Sequence, residues 1–251
     1  MTHVAFSNLA APGWTLARTL AAVAEYGYDG LELRLLDGEP LDPLAVDIDA
    51  RRVLEQSDVP LVCLDTSIEL AQPFDRELPA ALALATDWRS PLVRVFGGEA
   101  GDLDGIARRL QGPLARAHEL DVAIALETHD AFASAKLVGR LLDLVDDQAF
   151  GAVWDLHHPH RMGESPEEVI GALGAHIRLV HVKDARADGA LVPLGDGDVP
   201  VRESVALLAA AGYDGWLTVE WEKRWHPELA EPEIALPREL ETLRVLEARQ
   251  S

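Results

Sequence analysis

Short apolar runs alternate with amphipathic stretches along the whole chain. The apolar runs are rich in Val, Leu and Ile, a composition typical of strands that are buried on both faces of a parallel sheet. We predict strands over Val4–Ser7, Gly30–Leu35, Pro60–Asp65, Leu92–Phe96, Ala123–Glu127, Gly151–Asp155, Ile177–Lys183 and Trp216–Trp221. Strands that alternate with helix-length segments predict a parallel α/β fold.

The segments between these strands repeat apolar residues every three or four positions, which is the period of a helix. We predict helices over Leu16–Tyr26, Ile48–Gln56, Pro79–Trp88, Leu103–Leu120, Ser134–Leu144, Pro166–Leu173, Val201–Ala211 and Arg238–Ala248, the second with the weakest pattern. The 251 residues match the roughly 250 of a closed (β/α)8 TIM barrel. A doubly wound open sheet is the alternative. No linker or low-complexity tract is present, so we assign a single domain over residues 1–251.

Composition and charge limit the classes of molecule that the protein can be expected to bind. Hydrophobic residues make up 48% and charged residues 26% of the chain, as in ordinary globular proteins. The net charge of −21 disfavours binding to nucleic acid or to anionic membranes, and no apolar run approaches the roughly 20 residues of a membrane span. The single cysteine, Cys63, allows no internal disulfide, and the N-terminus has no signal-peptide pattern, so we expect a cytoplasmic protein. The sequence is compatible with a homo-oligomer and does not settle the oligomeric state.

Charged side chains stand at the ends of the last four predicted strands, at Glu127, Asp155, His181 and Glu220. They lie 28, 26 and 39 residues apart, about one strand–helix unit each, so they should meet at the C-terminal mouth of the barrel. The alternative is that each is a separate surface or capping group. Converging buried carboxylates require a cation, and three oxygen donors with one nitrogen suit Mn²⁺, Mg²⁺, Co²⁺ or Zn²⁺. We expect one divalent ion, with Mn²⁺ as the first expectation.

These strand ends resemble a known family. The segments are Leu126-Glu127-Thr128-His129, Trp154-Asp155-Leu156-His157-His158, His181-Val182-Lys183-Asp184 and Val219-Glu220-Trp221. They are similar to the xylose isomerase-like barrel superfamily, in its sugar phosphate isomerase/epimerase branch. The resemblance implies metal ligands at Glu127, Asp155, His181 and Glu220, and an acid–base pair at Glu127 and Glu220. It also implies that His158 contacts substrate.

From this we expect a metal-dependent isomerase or epimerase of a sugar, a sugar phosphate or a related polyol ketone. One carboxylate would remove a proton beside a carbonyl to give a metal-stabilised enediolate, and another would return it. Loss of a β-hydroxyl instead would make the protein a dehydratase of an inosose or dehydroshikimate-like compound. The same ligands support every outcome, so the sequence does not choose among them.

Two further residues are candidates for substrate binding. Lys183 lies two positions after His181 and would polarise a substrate oxygen or bind an anionic group; the alternative is an ion pair with Asp184 or Asp155. His129 shares the facing of Glu127 and would orient it or touch substrate; the alternative is a structural histidine.

Glu32 and Arg34 end the second predicted strand with the same parity. Their sequence positions allow two interpretations. They pair with each other, or they bind hydroxyl groups at the rim of the barrel.

Two rival functions remain. The zinc-dependent AP endonucleases of this superfamily need extra histidines on earlier strands, and here the third strand ends Cys63-Leu64-Asp65-Thr66 and the fourth Arg94-Val95-Phe96-Gly97. A non-catalytic binding module would be expected to have lost ligands, yet all four are present. Titrating metal into stripped protein would separate a module from an enzyme.

Overall fold

Eight parallel strands close into a barrel, as the sequence predicts. The structure, a computed structural model, describes residues 2–45 and 48–248, with the side chain of Ile48 excluded; the rest of the predicted domain over 1–251 lies outside these ranges. The barrel strands are β1 (His3–Ser7), β2 (Gly30–Leu33), β3 (Leu61–Glu69), β4 (Leu92–Phe96), β5 (Ala123–Glu127), β6 (Phe150–Asp155), β7 (Ile177–Val182) and β8 (Trp216–Val219). Each strand pairs with its neighbours in chain order, and β8 closes the barrel against β1.

Helices follow the strands. They are α1 (Leu16–Tyr26), α2 (Ile48–Glu55), α3 (Glu77–Asp87), α4 (Leu103–Leu120), α5 (Ala135–Val145), α6 (Pro166–Leu173), α7 (Val201–Ala210) and α8 (Pro232–Ala248). A short helix, His157–Arg161, follows β6, and single 3-10 turns occur at Asn8–Ala10, Asp130–Phe132 and Gly174–His176. Two small hairpins, Leu35–Leu36 with Glu39–Pro40 and Asp184–Ala185 with Leu191–Val192, lie outside the barrel sheet.

Local signals set the helix ends. α1 begins after Thr15, whose hydroxyl accepts a hydrogen bond from the backbone of Arg18, and it ends at Gly27 in the left-handed conformation. α6 begins with a capping box between Ser165 and Glu168, with Pro166 in the first helical turn.

The second strand is shorter than its prediction over Gly30–Leu35, because the side chain of Asn8 binds the backbone at Arg34 and Leu35. Its Oδ1 accepts hydrogen bonds from the backbone N–H groups of Arg34 (2.8 Å) and Leu35 (2.9 Å), and its Nδ2 donates to the Leu35 carbonyl (2.8 Å). A side chain thus replaces the sheet ladder after Leu33. Asn8 follows β1, so it ties the carboxyl ends of two neighbouring strands together.

Other boundaries moved for local reasons. β3 runs on to Glu69, beyond the predicted Asp65, across a register shift against β4. α8 begins at Pro232 instead of Arg238, because Pro237 is accommodated inside the helix although its ring removes a backbone donor. Both changes lengthen the element beyond its predicted bounds, β3 at its end and α8 at its start.

Two groups of apolar side chains form the core. The larger group fills the space between the sheet and the helices. The smaller lies within the barrel and consists of Ala5, Val62, Cys63, Leu92, Ala125, Val153 and Leu179, packed with Ala123 and Trp216. Successive side chains of a strand alternate in facing, so residues two positions beyond this inner group also point inward, at the mouth. Over the described ranges, no helix is long and apolar enough to cross a membrane.

Candidate metal centre

The four side chains singled out by the sequence converge at the mouth of the barrel. Glu127 and Asp155 end β5 and β6, His181 lies in β7, and Glu220 directly follows β8. Each contributes one ligand atom to a group whose members all lie within 4.8 Å of one another, and all four residues are buried. The predicted convergence is therefore present in the structure, whereas their role as metal ligands stays a prediction.

His181 is at the centre of this group. Its Nδ1 lies 3.3 Å from Glu127 Oε1 and 3.6 Å from Glu220 Oε1. Its Nε2 lies 2.9 Å from Oε1 and 3.1 Å from Oε2 of Glu32, across the barrel. Burial lowers the pKa of His181, but the carboxylates of Glu32, Glu220 and Glu127 outweigh it and hold the pKa well above its ordinary value. The surroundings of this ring therefore favour a cation.

The donor set fits a divalent ion. Three carboxylates and one imidazole nitrogen are ligands that Mn²⁺, Mg²⁺, Co²⁺ and Zn²⁺ accept. Among the described residues, Glu127 Oε2 faces Arg94 Nε at 3.1 Å and Asp155 Oδ2 faces Lys183 Nζ at 2.7 Å, but neither of these buried oxygens accepts a hydrogen bond of normal geometry. Buried carboxylate oxygens without hydrogen bonds are costly, and coordination of a cation would satisfy them.

Lys183 lies among the same carboxylates. Its Nζ is 2.7 Å from Asp155 Oδ2 and 2.7 Å from Glu220 Oε2, and it also pairs with Glu222. Of the two ion pairs that were the alternative to substrate binding, the pair with Asp155 is thus present. The alternative pair with Asp184 is not, because the carboxylate of Asp184 accepts hydrogen bonds from backbone N–H groups of the segment 195–199.

The two glutamates differ electrostatically. Burial raises the pKa of Glu127, but Arg94 and His181 outweigh burial and lower it well below the ordinary range. For Glu220, burial prevails over Lys183 and His181, so its pKa is raised. Environments that push the pKa values of two carboxyl groups apart are typical of acid–base pairs.

Three further charged residues complete the mouth: Arg94 and Asp65, which the sequence analysis did not assign to the site, and Glu32, for which it left hydroxyl binding at the rim open. Arg94, in β4, donates from Nη2 to Asp65 Oδ2 (2.9 Å), and its Nε lies 3.1 Å from Glu127 Oε2. Glu32 and Asp65 form a second candidate group with His181 and Glu220, again within 4.8 Å. Burial, followed by Asp65, raises the pKa of Glu32 to about 8.

A signal for these residues was present in the strand pattern. Arg94 lies two positions after Leu92, and Asp65 lies two after Cys63, so both share the facing of the inner core. Charged side chains that face the inside of a barrel are rarely buried without a partner. Cys63 is buried, and its Sγ lies 3.6 Å from Asp65 Oδ1.

The predicted substrate-contacting histidines lie side by side at the rim. The rings of His129 and His158 are 4.6 Å apart, edge to face, and both are partly exposed. His158 Nε2 is buried, has no hydrogen-bond partner among the described residues, and lies 3.9 Å from Asp155 Oδ2. His129 Nδ1 lies 2.9 Å from Asp130 Oδ2, and its ring packs on Phe96, so it does not hydrogen-bond Glu127.

The carboxylate of Asp155 is held by backbone N–H groups of the residues that follow it. Its Oδ1 accepts hydrogen bonds from the N–H groups of His157 (2.8 Å) and His158 (3.2 Å) at the start of the short helix. Burial raises the pKa of Asp155, but Lys183 outweighs burial and lowers it far below its usual range. Asp155 is therefore ionised at neutral pH and held in one orientation.

Glu32 and Arg34 do not pair with each other. Glu32 binds His181, whereas Arg34 donates from Nη2 to Ser67 Oγ at 2.9 Å. The first interpretation of these two residues is therefore wrong.

Comparisons with solved structures agree on the fold. The chain superposes on the structure of the IOLI protein with a binding zinc atom, with a TM-score of 0.81 at 18% identity. The superposition covers 98% of this chain and 99% of that chain. For D-allulose 3-epimerase from Methylomonas sp., the TM-score is 0.79 at 17% identity, with 98% of both chains covered. For the probable 3-DHS dehydratase AsbF from Bacillus anthracis, it is 0.78 at 17% identity, with 97% and 99% covered.

Sequence relatives cover less of the chain. An inosose dehydratase of Clostridium botulinum (strain Eklund 17B / Type B) is 24% identical over 139 residues, 48% of this chain and 46% of that protein. An inosose dehydratase of Geobacillus thermodenitrificans (strain NG80-2) is 28% identical over 158 residues, 55% and 52%. The chain thus spans about half the length of these curated relatives. The model of the xylose isomerase-like TIM barrel family matches residues 20–246, and the chain belongs to that family.

Proposed function

We propose that this protein is a metal-dependent enzyme that moves a proton at the carbon beside a carbonyl group of a sugar or polyol ketone. The observation that carries the proposal is the buried group of Glu127, Asp155, His181 and Glu220, with all ligand atoms within 4.8 Å. These residues would hold one divalent ion, with Mn²⁺ as the first candidate. When bound, such an ion stabilises negative charge that develops on a substrate oxygen.

The acid–base steps belong to the two glutamates. Both lie near Nδ1 of His181, Glu127 Oε1 at 3.3 Å and Glu220 Oε1 at 3.6 Å, and the low pKa of Glu127 keeps it ionised, as a base must be. Glu127 would remove the proton, and Glu220, whose pKa is raised, would return one to the enediolate. Return to the opposite face of the same carbon gives an epimer, whereas return to the neighbouring carbon gives an isomer.

His129 and His158 would bind substrate at the rim. Their rings lie together, beside the metal centre, with His158 Nε2 free of hydrogen bonds among the described residues. Lys183 would keep Asp155 ionised, would orient both Asp155 and Glu220, and would lie within reach of a substrate oxygen.

Dehydration is the second candidate, and the names of the two sequence relatives favour it. After the same proton removal, the electron pair of the enediolate would expel the β-hydroxyl. A carboxylic acid would supply the proton that lets this hydroxyl leave as water, and a carbon–carbon double bond would remain. The two reactions share their first step and differ only in the fate of the intermediate.

The test is proton exchange. Ketoses, aldoses, their phosphates and inososes are incubated in D2O with stripped protein, with and without added Mn²⁺, and deuterium at carbon is measured by NMR. We expect exchange with at least one compound class, only when metal is present. Full exchange or turnover in metal-free protein would overturn the proposal. Loss of water from the exchanging compound would identify a dehydratase.

Three variants separate proton transfer from metal binding. Glu127→Gln and Glu220→Gln keep size and one oxygen but remove the base, so exchange should fall about 10²–10⁴-fold. Excess Mn²⁺ should not rescue them. Asp155→Asn should act through metal affinity, so that excess Mn²⁺ restores part of its activity. If high metal restored both glutamate variants to nearly full rates, the two-carboxylate mechanism would have to be dropped.

A further inference from the structure

Three permanently charged cations lie at the barrel mouth, and only two of them are neutralised. Arg94 is paired with Asp65 and Glu127. Lys183 is paired with Asp155 and Glu220. Arg34 is buried, with only 6% of its surface exposed, yet it makes no ion pair with any described residue. Its Nη2 donates to Ser67, and its Nη1 is buried with no hydrogen-bond partner in the described part of the chain.

The position of Arg34 is fixed. Asn8 binds the backbone N–H groups of both Arg34 and Leu35, so the guanidinium projects from an anchored strand end. Burial, followed by the nearby Arg94, lowers the pKa of Arg34 to about 10, while Asp65, Glu127 and Glu220 act in the opposite direction. The guanidinium therefore remains charged at neutral pH and lies within electrostatic range of the metal centre.

The carboxylates in that range already have partners. Arg94 contacts Asp65 and Glu127, Lys183 contacts Glu220, and His181 contacts Glu32. A buried charge and a buried N–H group without acceptors are both costly. The described chain offers Nη1 no acceptor, so a substrate group could supply one, and exposed Ser67 marks the solvent side from which it would enter.

We infer that Arg34 binds a carboxylate group of the substrate, so that the reacting compound is a sugar acid or polyol acid instead of a neutral sugar. This inference rests on the proposed function for the reacting centre. A guanidinium presents planar N–H donors that match a carboxylate, and a charged pair is stronger than a hydrogen bond to a neutral hydroxyl. A phosphate group generally takes several donors, including backbone N–H groups of a glycine-rich loop, whereas Arg34 offers one unpartnered nitrogen.

The experiment compares three ligands that differ at one carbon: glucose, glucuronate and glucose 6-phosphate. Binding to the protein is measured by calorimetry at constant ionic strength, with and without Mn²⁺. We expect glucuronate to bind about tenfold to hundredfold more tightly than glucose, the scale of a hydrogen bond to a charged group. Arg34→Gln should abolish this preference, because glucuronate would lose the ion pair that glucose cannot make. Arg108→Gln, at an exposed arginine of α4, is the matched control for the loss of one charge.

Arg34→Lys provides a second variant if Arg34→Gln folds poorly. It keeps the charge but loses the planar donors, so part of the preference for glucuronate should remain. Equal binding of glucose and glucuronate, or no binding of glucuronate, would overturn the inference. So would equal losses for both ligands in Arg34→Gln, which would indicate a hydroxyl contact, or an Arg34-dependent preference for glucose 6-phosphate.

Failure of the proposed function gives a different result. If Mn²⁺ did not bind, yet Arg34 still conferred preference for glucuronate, the metal mechanism would fail and this inference would stand. If the preference required Mn²⁺ and persisted in Arg34→Gln, the carboxylate would be on the ion, and this inference would fail while the metal centre stood.

Discussion

Glu32 holds the face of the His181 ring that points away from Glu127 and Glu220. Its two oxygens lie 2.9 and 3.1 Å from Nε2, which leaves Nδ1 directed at the candidate metal centre. Carboxylates that bind the far nitrogen of a metal-ligating histidine fix the orientation of the ring and strengthen it as a ligand. Glu32 is thus a positioning residue for the proposed centre.

Replacing Glu32 with Gln should weaken metal binding in a pH-dependent way. Because burial and Asp65 raise the pKa of Glu32 to about 8, its carboxyl group retains a proton below that pH and resembles the amide of Gln. Above pH 8 the ionised carboxylate strengthens His181 as a metal ligand, whereas the amide of the Gln variant does not ionise and gives no such effect. We therefore expect similar Mn²⁺ affinities at pH 6.5 and a deficit of about 10–100-fold in the variant at pH 9.

Calorimetric Mn²⁺ titration at the two pH values measures this difference. Glu25→Gln, at an exposed glutamate of α1, is the control for the loss of one acidic group. A ratio of affinities that stayed constant from pH 6.5 to pH 9 would show that Glu32 does not act through its charge on His181.

At the level of single residues, the sequence predicted the half of the mouth formed by the last four strands. Glu127, Asp155 and Glu220 were recognisable because each ends an apolar strand and the spacing between them follows the strand–helix unit. The opposite half was not assigned. Contacts such as Glu32 with His181 join residues 149 positions apart, and no spacing along the chain encodes such a contact across the barrel.

Glycine governs the packing of α5 on α6. A Cβ atom added at Gly139 of α5 would lie 2.7 Å from the carbonyl oxygen of Ala172 in α6, closer than real Cβ contacts. A Cβ added at Gly171, on the exposed side of α6, would meet nothing within 4 Å. The two positions separate the intrinsic helix propensity of alanine from the effect of close helix packing.

Gly171→Ala should stabilise the protein by about 0.5–1 kcal/mol, because alanine loses less conformational entropy in a helix. Gly139→Ala gains the same propensity but forces the two helices apart, and overpacking of this kind costs about 1–3 kcal/mol. We expect Gly139→Ala to lower the free energy of unfolding, measured by urea denaturation. Equal stabilisation by both substitutions would mean that α5 and α6 do not pack as closely as the structure has them.

The element boundaries show a similar limit of prediction. Periodicity located every barrel strand, because the apolar runs are short and regularly separated. It did not locate the end of β2, since that end depends on a side-chain bond from Asn8 in the preceding unit. The predicted start of α8, at Arg238, was likewise too late, because the helix accommodates Pro237 although that residue removes a backbone hydrogen bond.

The whole barrel separates its stability from its chemistry. Apolar side chains fill the inside of the barrel below the mouth and the layer between strands and helices. The mouth instead gathers the carboxylates of Glu32, Asp65, Glu127, Asp155, Glu220 and Glu222 around Arg34, Arg94 and Lys183. Acidic groups thus outnumber permanent cations at this end, in a chain with a net charge of −21. A divalent cation would relieve that imbalance without being needed for the core to form.

Removing metal should therefore lower the melting temperature without abolishing cooperative unfolding. Free Mn²⁺ at 100 times its dissociation constant adds about 2.7 kcal/mol to the stability of a protein that binds it only when folded. For a domain of this size, that corresponds to a rise of about 5–10 °C over protein stripped with a chelator. Differential scanning calorimetry would measure the shift, with Asp155→Asn as the variant that should lose most of it. A stripped protein without a cooperative transition would make the ion part of the fold. An equal shift in Asp155→Asn would place the bound Mn²⁺ elsewhere on the acidic surface, because Asp155 is one of the four proposed ligands and two backbone N–H groups hold its carboxylate in the site.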